Sequence, residues 1–110
     1  MKILYGENDG STVTFCLSGE LDHHTAKKLR AEIDGEILLS RPAVVKLDFS
    51  DVTMMDSSGI GLILGRKQTA QSVGATVRVS GAVGEIGKII RLSGLERLPG
   101  LTITEESEKR

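Results

Sequence analysis

The residues best placed to do chemistry lie together. Met54 to Gly61 reads MMDSSGIG, which sets two hydroxyls, Ser57 and Ser58, between the acid Asp56 and two glycines. A serine at a strand-to-helix turn meets free backbone N–H groups and the positive end of a helix dipole, so an anion is favoured there. Four kinds of chemistry fit such a turn. A nucleotide phosphate loop would need the G-x-x-x-x-G-K-[ST] pattern and its lysine, and both are missing. A hydrolase elbow would read G-x-S-x-G rather than D-S-S-G, and its base would have to be His23 or His24, the only histidines. Capping by Asp56 and Ser57 contributes about 1 kcal/mol and needs no function. Phosphorylation adds about −1.5 to −2 charge, which the helix N-terminus can hold without refolding while the surface changes sign. The spacing alone does not choose between Ser57 and Ser58.

The helix that follows argues for more than a cap. At about 100° per residue, Ser58, Gly61, Gly65, Gln68 and Ser72 share one side, while Gly59, Ile60, Ile63, Lys67 and Ala70 share the other. Each interior glycine costs up to about 1 kcal/mol relative to alanine, so three of them call for a compensating use. A smooth side lets another surface approach closely, and it serves packing within the domain equally well.

The elements that must hold this turn follow from periodicity. Val13, Phe15 and Leu17 alternate with polar neighbours as in a half-buried strand, and KILYGE with the turn ENDG makes an opening hairpin with it. Residues 23–39 switch to helical spacing, with Ala26, Leu29, Ile33, Ile37 and Leu38 on one stripe and Asp22 or His23 at the cap. A strand through Ala43, Val45, Leu47 and Phe49 runs into the turn SDVTMMD, with Met54 and Met55 filling core. A helix from Ser57 to about Val73 stops at Gly74, ATVRVS is a strand, GEIGKIIRLSGL a third helix and LTIT a last strand. Alternating strands and helices in one short chain give an α/β sandwich with an at least partly parallel sheet.

Composition narrows the function classes. A chain of 110 residues with 39% apolar content supports one domain, residues 1–110, of which 103–110 read as a frayed, charged tail. Fourteen basic and fifteen acidic side chains nearly cancel, so no nucleic-acid footprint or membrane patch is expected. No apolar run approaches the roughly 20 residues of a membrane span, and a lone Cys16 suits a reducing compartment, so a cytoplasmic protein is expected. Adjacent His23 and His24, with no further histidine or cysteine nearby, make a poor metal site.

GELDHHT at Gly19–Thr25 and MDSSGIGLILGRK at Met55–Lys67 together resemble the anti-sigma factor antagonists of the STAS superfamily, and the likeness runs to SGL at Ser93–Leu95. The resemblance implies a single STAS-type α/β domain with a four- to five-stranded mixed sheet and packed helices, in the cytoplasm of a spore-forming bacterium. It implies no catalysis and no cofactor, ATP being used by the partner. That partner is an anti-sigma factor that is also a serine kinase, bound by the unphosphorylated antagonist so that a sporulation sigma factor is freed; a phosphoprotein phosphatase restores the phosphorylated form. Carried over by motif position, the phosphorylated residue is Ser57. Asp22, Asp56, Ser58, Gly59, Ile60 and Ile89 are its partner-binding counterparts, with Ile60 either an exposed anchor or core. Extra glycines in GEIGKII loosen the start of the third helix on this reading. A general stress-response antagonist and a small serine hydrolase are the alternatives.

Overall fold

The computed structural model describes residues 11–108 and the backbone of a strand at 2–5. In chain order the elements are β1 (Lys2–Tyr5), β2 (Thr12–Leu21), α1 (His23–Ser40), β3 (Val44–Met55), α2 (Ser57–Ser72), β4 (Thr76–Ser80), α3 (Gly84–Leu92), a 3-10 turn (Leu95–Arg97) and β5 (Leu101–Ile103). The expected ENDG turn lies outside the described residues. The sheet has the order β1-β2-β3-β4-β5, with β1 antiparallel to β2 and every other pair parallel. Parallel neighbours taken in sequence order need a crossover each time, and right-handed crossovers deliver the helices to one face.

The burial pattern agrees with a sheet covered in this way. Val13, Phe15 and Leu17 of β2, Val45, Leu47 and Phe49 of β3, and Val77 and Val79 of β4 form one core with Ala26, Leu29, Ile33 and Ile37 of α1, Leu62, Ile63 and Ala70 of α2, and Ile90 of α3. The alternate positions are polar: Thr14 and Cys16 on β2, Lys46 and Asp48 on β3, Arg78 and Ser80 on β4. Leu38 is 52% exposed and Ala43 is exposed, so neither belongs to the stripe expected of it.

SDVTMM is strand, not turn. From Cys16 to Ser18 β2 advances two residues while β3 advances three, Asp48 to Asp51; from Gly19 to Glu20 it advances one while β3 advances two, Val52 to Met54. Each extra residue bulges β3 and resets which side faces inward. Burial therefore passes from Phe49 to Val52 to Met55, and Met54 turns outward at 45% exposure rather than filling core. Period-2 reading fails wherever a bulge shifts the period.

The tail is not frayed over its described part. The Gly81 N–H donates to Glu106 O at 2.8 Å and the Ala82 N–H to Thr104 O at 3.1 Å, while Arg91 reaches Glu105 at 2.8 Å. Buried Asp48 accepts from Ser50 N at 2.8 Å, Ser107 Oγ at 2.7 Å and Glu108 N at 2.6 Å. The Glu108 carboxylate takes Lys46 Nζ at 3.2 Å, Arg78 Nε at 3.4 Å and the Ser80 hydroxyl. Burial opposes the charge on both acids. For Asp48 the hydrogen bonds from Ser50, Ser107 and the Glu108 N–H outweigh it, and for Glu108 those from Ser80 and Lys46 with the charges of Lys46 and Arg78 do, so both carboxyls sit below their ordinary pKa. A charged stretch thus docks because the polar face of the sheet offers it partners.

Gly87 does not loosen α3. A Cβ on Gly87 would lie 2.3 Å from the Ala82 carbonyl oxygen, so glycine there lets the helix pack tightly on the chain that leads into it.

Candidate functional site

Parallel β2 and β3 end side by side. Leu21 pairs with Met55, and the Asp56 N–H reaches Leu21 O at 3.3 Å, so Asp22 and Asp56 leave the sheet together. Each starts a helix. Asp22 Oδ1 accepts from Thr25 N at 3.0 Å while Thr25 Oγ1 accepts from Asp22 N at 2.9 Å, a reciprocal capping box. The Thr25 N–H, above all, holds the Asp22 carboxyl below its ordinary pKa. Asp56 caps α2 by accepting from Ser58 N at 2.8 Å.

The aspartate caps, and the serine does not. Ser57 is the first residue of α2, it is exposed, and its hydroxyl has no hydrogen bond among the described residues. Ser58 is half-buried, and its N–H is already bound to Asp56. The two hydroxyls that spacing left equivalent therefore differ in access. An enzyme acting on this turn meets Ser57 first. Asp56 precedes it and Asp22 leaves the same edge of the sheet, so a phosphate there would join like charges at one end of the sheet.

Gly59 packs closely on Met55: a Cβ there would lie 2.2 Å from Met55 Sδ, so the Met55 side chain would have to move. Ile60 and Ile89 are half-buried and packed on the core, so Ile60 is not a free-standing exposed anchor. His23 and His24 are exposed, stack edge to face with ring centroids 6.0 Å apart, and make no hydrogen bond to either serine among the described residues. No group of three metal-ligating side chains occurs among the described residues.

Beside the turn, α1 and α2 leave a cleft of about 280 Å³ lined by His23, Ala26, Arg30, Ser58, Gly61, Leu62, Gly65 and Arg66. Arg66, with 4% of its side chain exposed, lies 2.7 Å from Asp34 Oδ1 through Nε. Burial depresses its pKa, the Asp34 charge opposes that, and the nearby Arg30 charge adds to it.

The sequence pattern of the STAS domain matches residues 6–109. The chain belongs to the STAS domain family. This STAS domain is 33% identical over 84 residues to the anti-sigma F factor antagonist of Lysinibacillus sphaericus, covering 76% of this chain and 72% of that one. Its fold is that of the anti-sigma factor antagonist SpoIIAA in its unphosphorylated form, with a TM-score of 0.74 and 26% identity over 98% of this chain and 92% of that one. The Bacillus cell fate determinant SpoIIAA in its phosphorylated form gives a TM-score of 0.70 at 29% identity, covering 93% and 90%.

Sequence reasoning missed Arg30, Asp34 and Arg66. Arg66 shares the buried face of α2 with Gly59, Leu62, Ile63 and Ala70. A lone arginine within an apolar stripe was the available signal, because a buried cation requires a partner on the facing element.

Proposed function

We propose that this STAS domain is an anti-sigma F factor antagonist switched by phosphorylation of Ser57. The unphosphorylated form binds an anti-sigma factor that is also a serine kinase and so frees a sporulation sigma factor. The kinase transfers the γ-phosphoryl group of its own ATP to Ser57, and a phosphatase removes it. The domain itself supplies no catalytic group and works in the cytoplasm. The observation that carries this reading is the exposed, uncommitted hydroxyl of Ser57 directly after the Asp56 cap, in a chain whose structural relative exists in both phosphorylated and unphosphorylated forms.

The chemistry of the switch is local. The Asp56 carboxylate already satisfies Ser58 N, so a phosphate on Ser57 need not replace the cap and the fold is kept. It places about −2 charge next to Asp56 and Asp22. Asp22, Asp56, Ser58 and Gly59 form the surface the kinase covers, with Ile60 and Ile89 adding apolar rim. A partner surface that suits the hydroxyl then meets a desolvated like charge, a penalty of several kcal/mol, or about a hundredfold or more in affinity.

Incubation with the purified cognate anti-sigma F factor and ATP, followed by mass mapping, tests the reading. One phosphate on the peptide carrying Ser57 is expected. A phosphate on Ser58 instead, or none, would overturn it.

A further inference from the structure

Three glycines fall in the first nine residues of α2, and close packing accounts for only one. Gly59 packs closely on the Met55 side chain. At Gly61 and Gly65 a Cβ would have nothing within 4 Å, and neither residue has a positive φ. Within the isolated domain alanine would serve better at both, since glycine gives up helix propensity there without any packing return. Both glycines line the α1–α2 cleft, so what they preserve is empty space.

The walls of that space carry charge. Arg66 Nε is buried in an ion pair 2.7 Å from Asp34 Oδ1, in which neither atom makes a well-aligned hydrogen bond. Arg30 lines the cleft close enough for its charge to act on Arg66, and Asp34 is ion-paired with Arg66. A buried arginine with an unaligned donor, a second cation and the Ser58 hydroxyl together suit an oxyanion, and the guanidinium plane suits a carboxylate. Ser58 belongs both to this cleft and to the turn bearing Ser57, so the cleft continues the surface proposed for the kinase.

We propose that the α1–α2 cleft is a docking socket for an acidic side chain of the anti-sigma factor kinase, admitted over Gly61 and Gly65 and held by Arg30 and Arg66. This rests on the reading of the chain as an anti-sigma F factor antagonist. The socket sets where the kinase sits relative to Ser57, and phosphorylation acts at its rim.

Binding of the cognate anti-sigma F factor to the full chain is measured by calorimetry for wild type, Arg30→Glu, Gly61→Leu, Gly65→Leu and the distant control Arg97→Glu, with thermal melts of each. Arg30→Glu is expected to weaken binding tenfold or more, with an effect that shrinks as salt rises, while Arg97→Glu stays within twofold. The leucine variants are expected to lose tenfold or more while melting at or above the wild-type temperature, a combination that a purely structural role for the glycines does not produce. Wild-type affinity in all variants would overturn the socket while leaving the antagonist reading intact. Loss in the leucine variants with none in Arg30→Glu would overturn the acidic occupant. Failure of the wild type itself to bind would overturn the antagonist reading and the socket with it.

Discussion

Replacing Asp48 by alanine tests whether the segment Thr104–Glu108 is part of the fold. Asp48 is 1% exposed and accepts three hydrogen bonds, from Ser50 N, Ser107 Oγ and Glu108 N. Bonds to a charged acceptor are each worth about 1.5–3 kcal/mol, but the donors on the docked segment can return to water once it lifts, so the gross sum is not lost. Leaving Ser50 N without its acceptor and freeing the segment should cost about 3 kcal/mol. Against a total stability of about 5–15 kcal/mol this is a large share. At roughly 4 °C per kcal/mol for a domain of this size, the melting temperature should fall by about 12 °C. Urea unfolding of wild type, Asp48→Ala, a chain truncated after Thr104 and the double variant completes a cycle. Coupling of about 1.5 kcal/mol or more between the two changes is expected, because they remove opposite partners of the same bonds. The pH dependence has a fixed sign. The Asp48 and Glu108 carboxyls are depressed in the folded state, so their stabilisation is complete above the unfolded value of about 4 and is lost as pH falls through the folded values. The gap between wild type and Asp48→Ala should therefore be full at neutral pH and close in acid. Strict additivity, or a cost below about 1 kcal/mol at neutral pH, would refute the docking.

Other outcomes follow from the site. Gly59→Ala should destabilise by about 1–3 kcal/mol through collision with Met55 and be partly rescued by Met55→Val; an unchanged unfolding midpoint would count against that packing. Ser57→Asp should melt within a few degrees of wild type yet bind the anti-sigma F factor about a hundredfold more weakly, whereas Ser57→Ala should bind and resist inactivation by ATP. An unfolded Ser57→Asp would contradict the local-charge account.

Regular elements were legible where one period held. α1 showed its stripe through Ala26, Leu29, Ile33 and Ile37, and the stop of α2 before Gly74 was visible because that glycine has φ +76°, a conformation other residues adopt at a cost. Irregularities were not legible. The bulges in β3 hid the inward-facing Val52 and made Met54 look like core beside Met55, which is core as expected, and Leu38 lost its place because the stripe of α1 is narrower than its apolar residues suggest.

The candidate site divides the same way. The caps were legible to within a residue, Asp22 or His23 for α1 and Asp56 with Ser57 for α2, since capping is a local matter of a side chain and the next few N–H groups. Their meeting at one edge depended on the parallel pairing of Leu21 with Met55, a contact between residues far apart in the chain.

By itself, then, the sequence determined the alternation of strands and helices, the helix starts and the D-S-S-G turn, because hydrophobic period and capping act over a few residues. Only the tertiary structure decided which serine hydroxyl is exposed, which glycines face open space, that Arg66 is buried against Asp34, and that a charged tail docks on the sheet. Each of these depends on surfaces brought together from distant parts of the chain, and no local pattern encodes what will stand opposite.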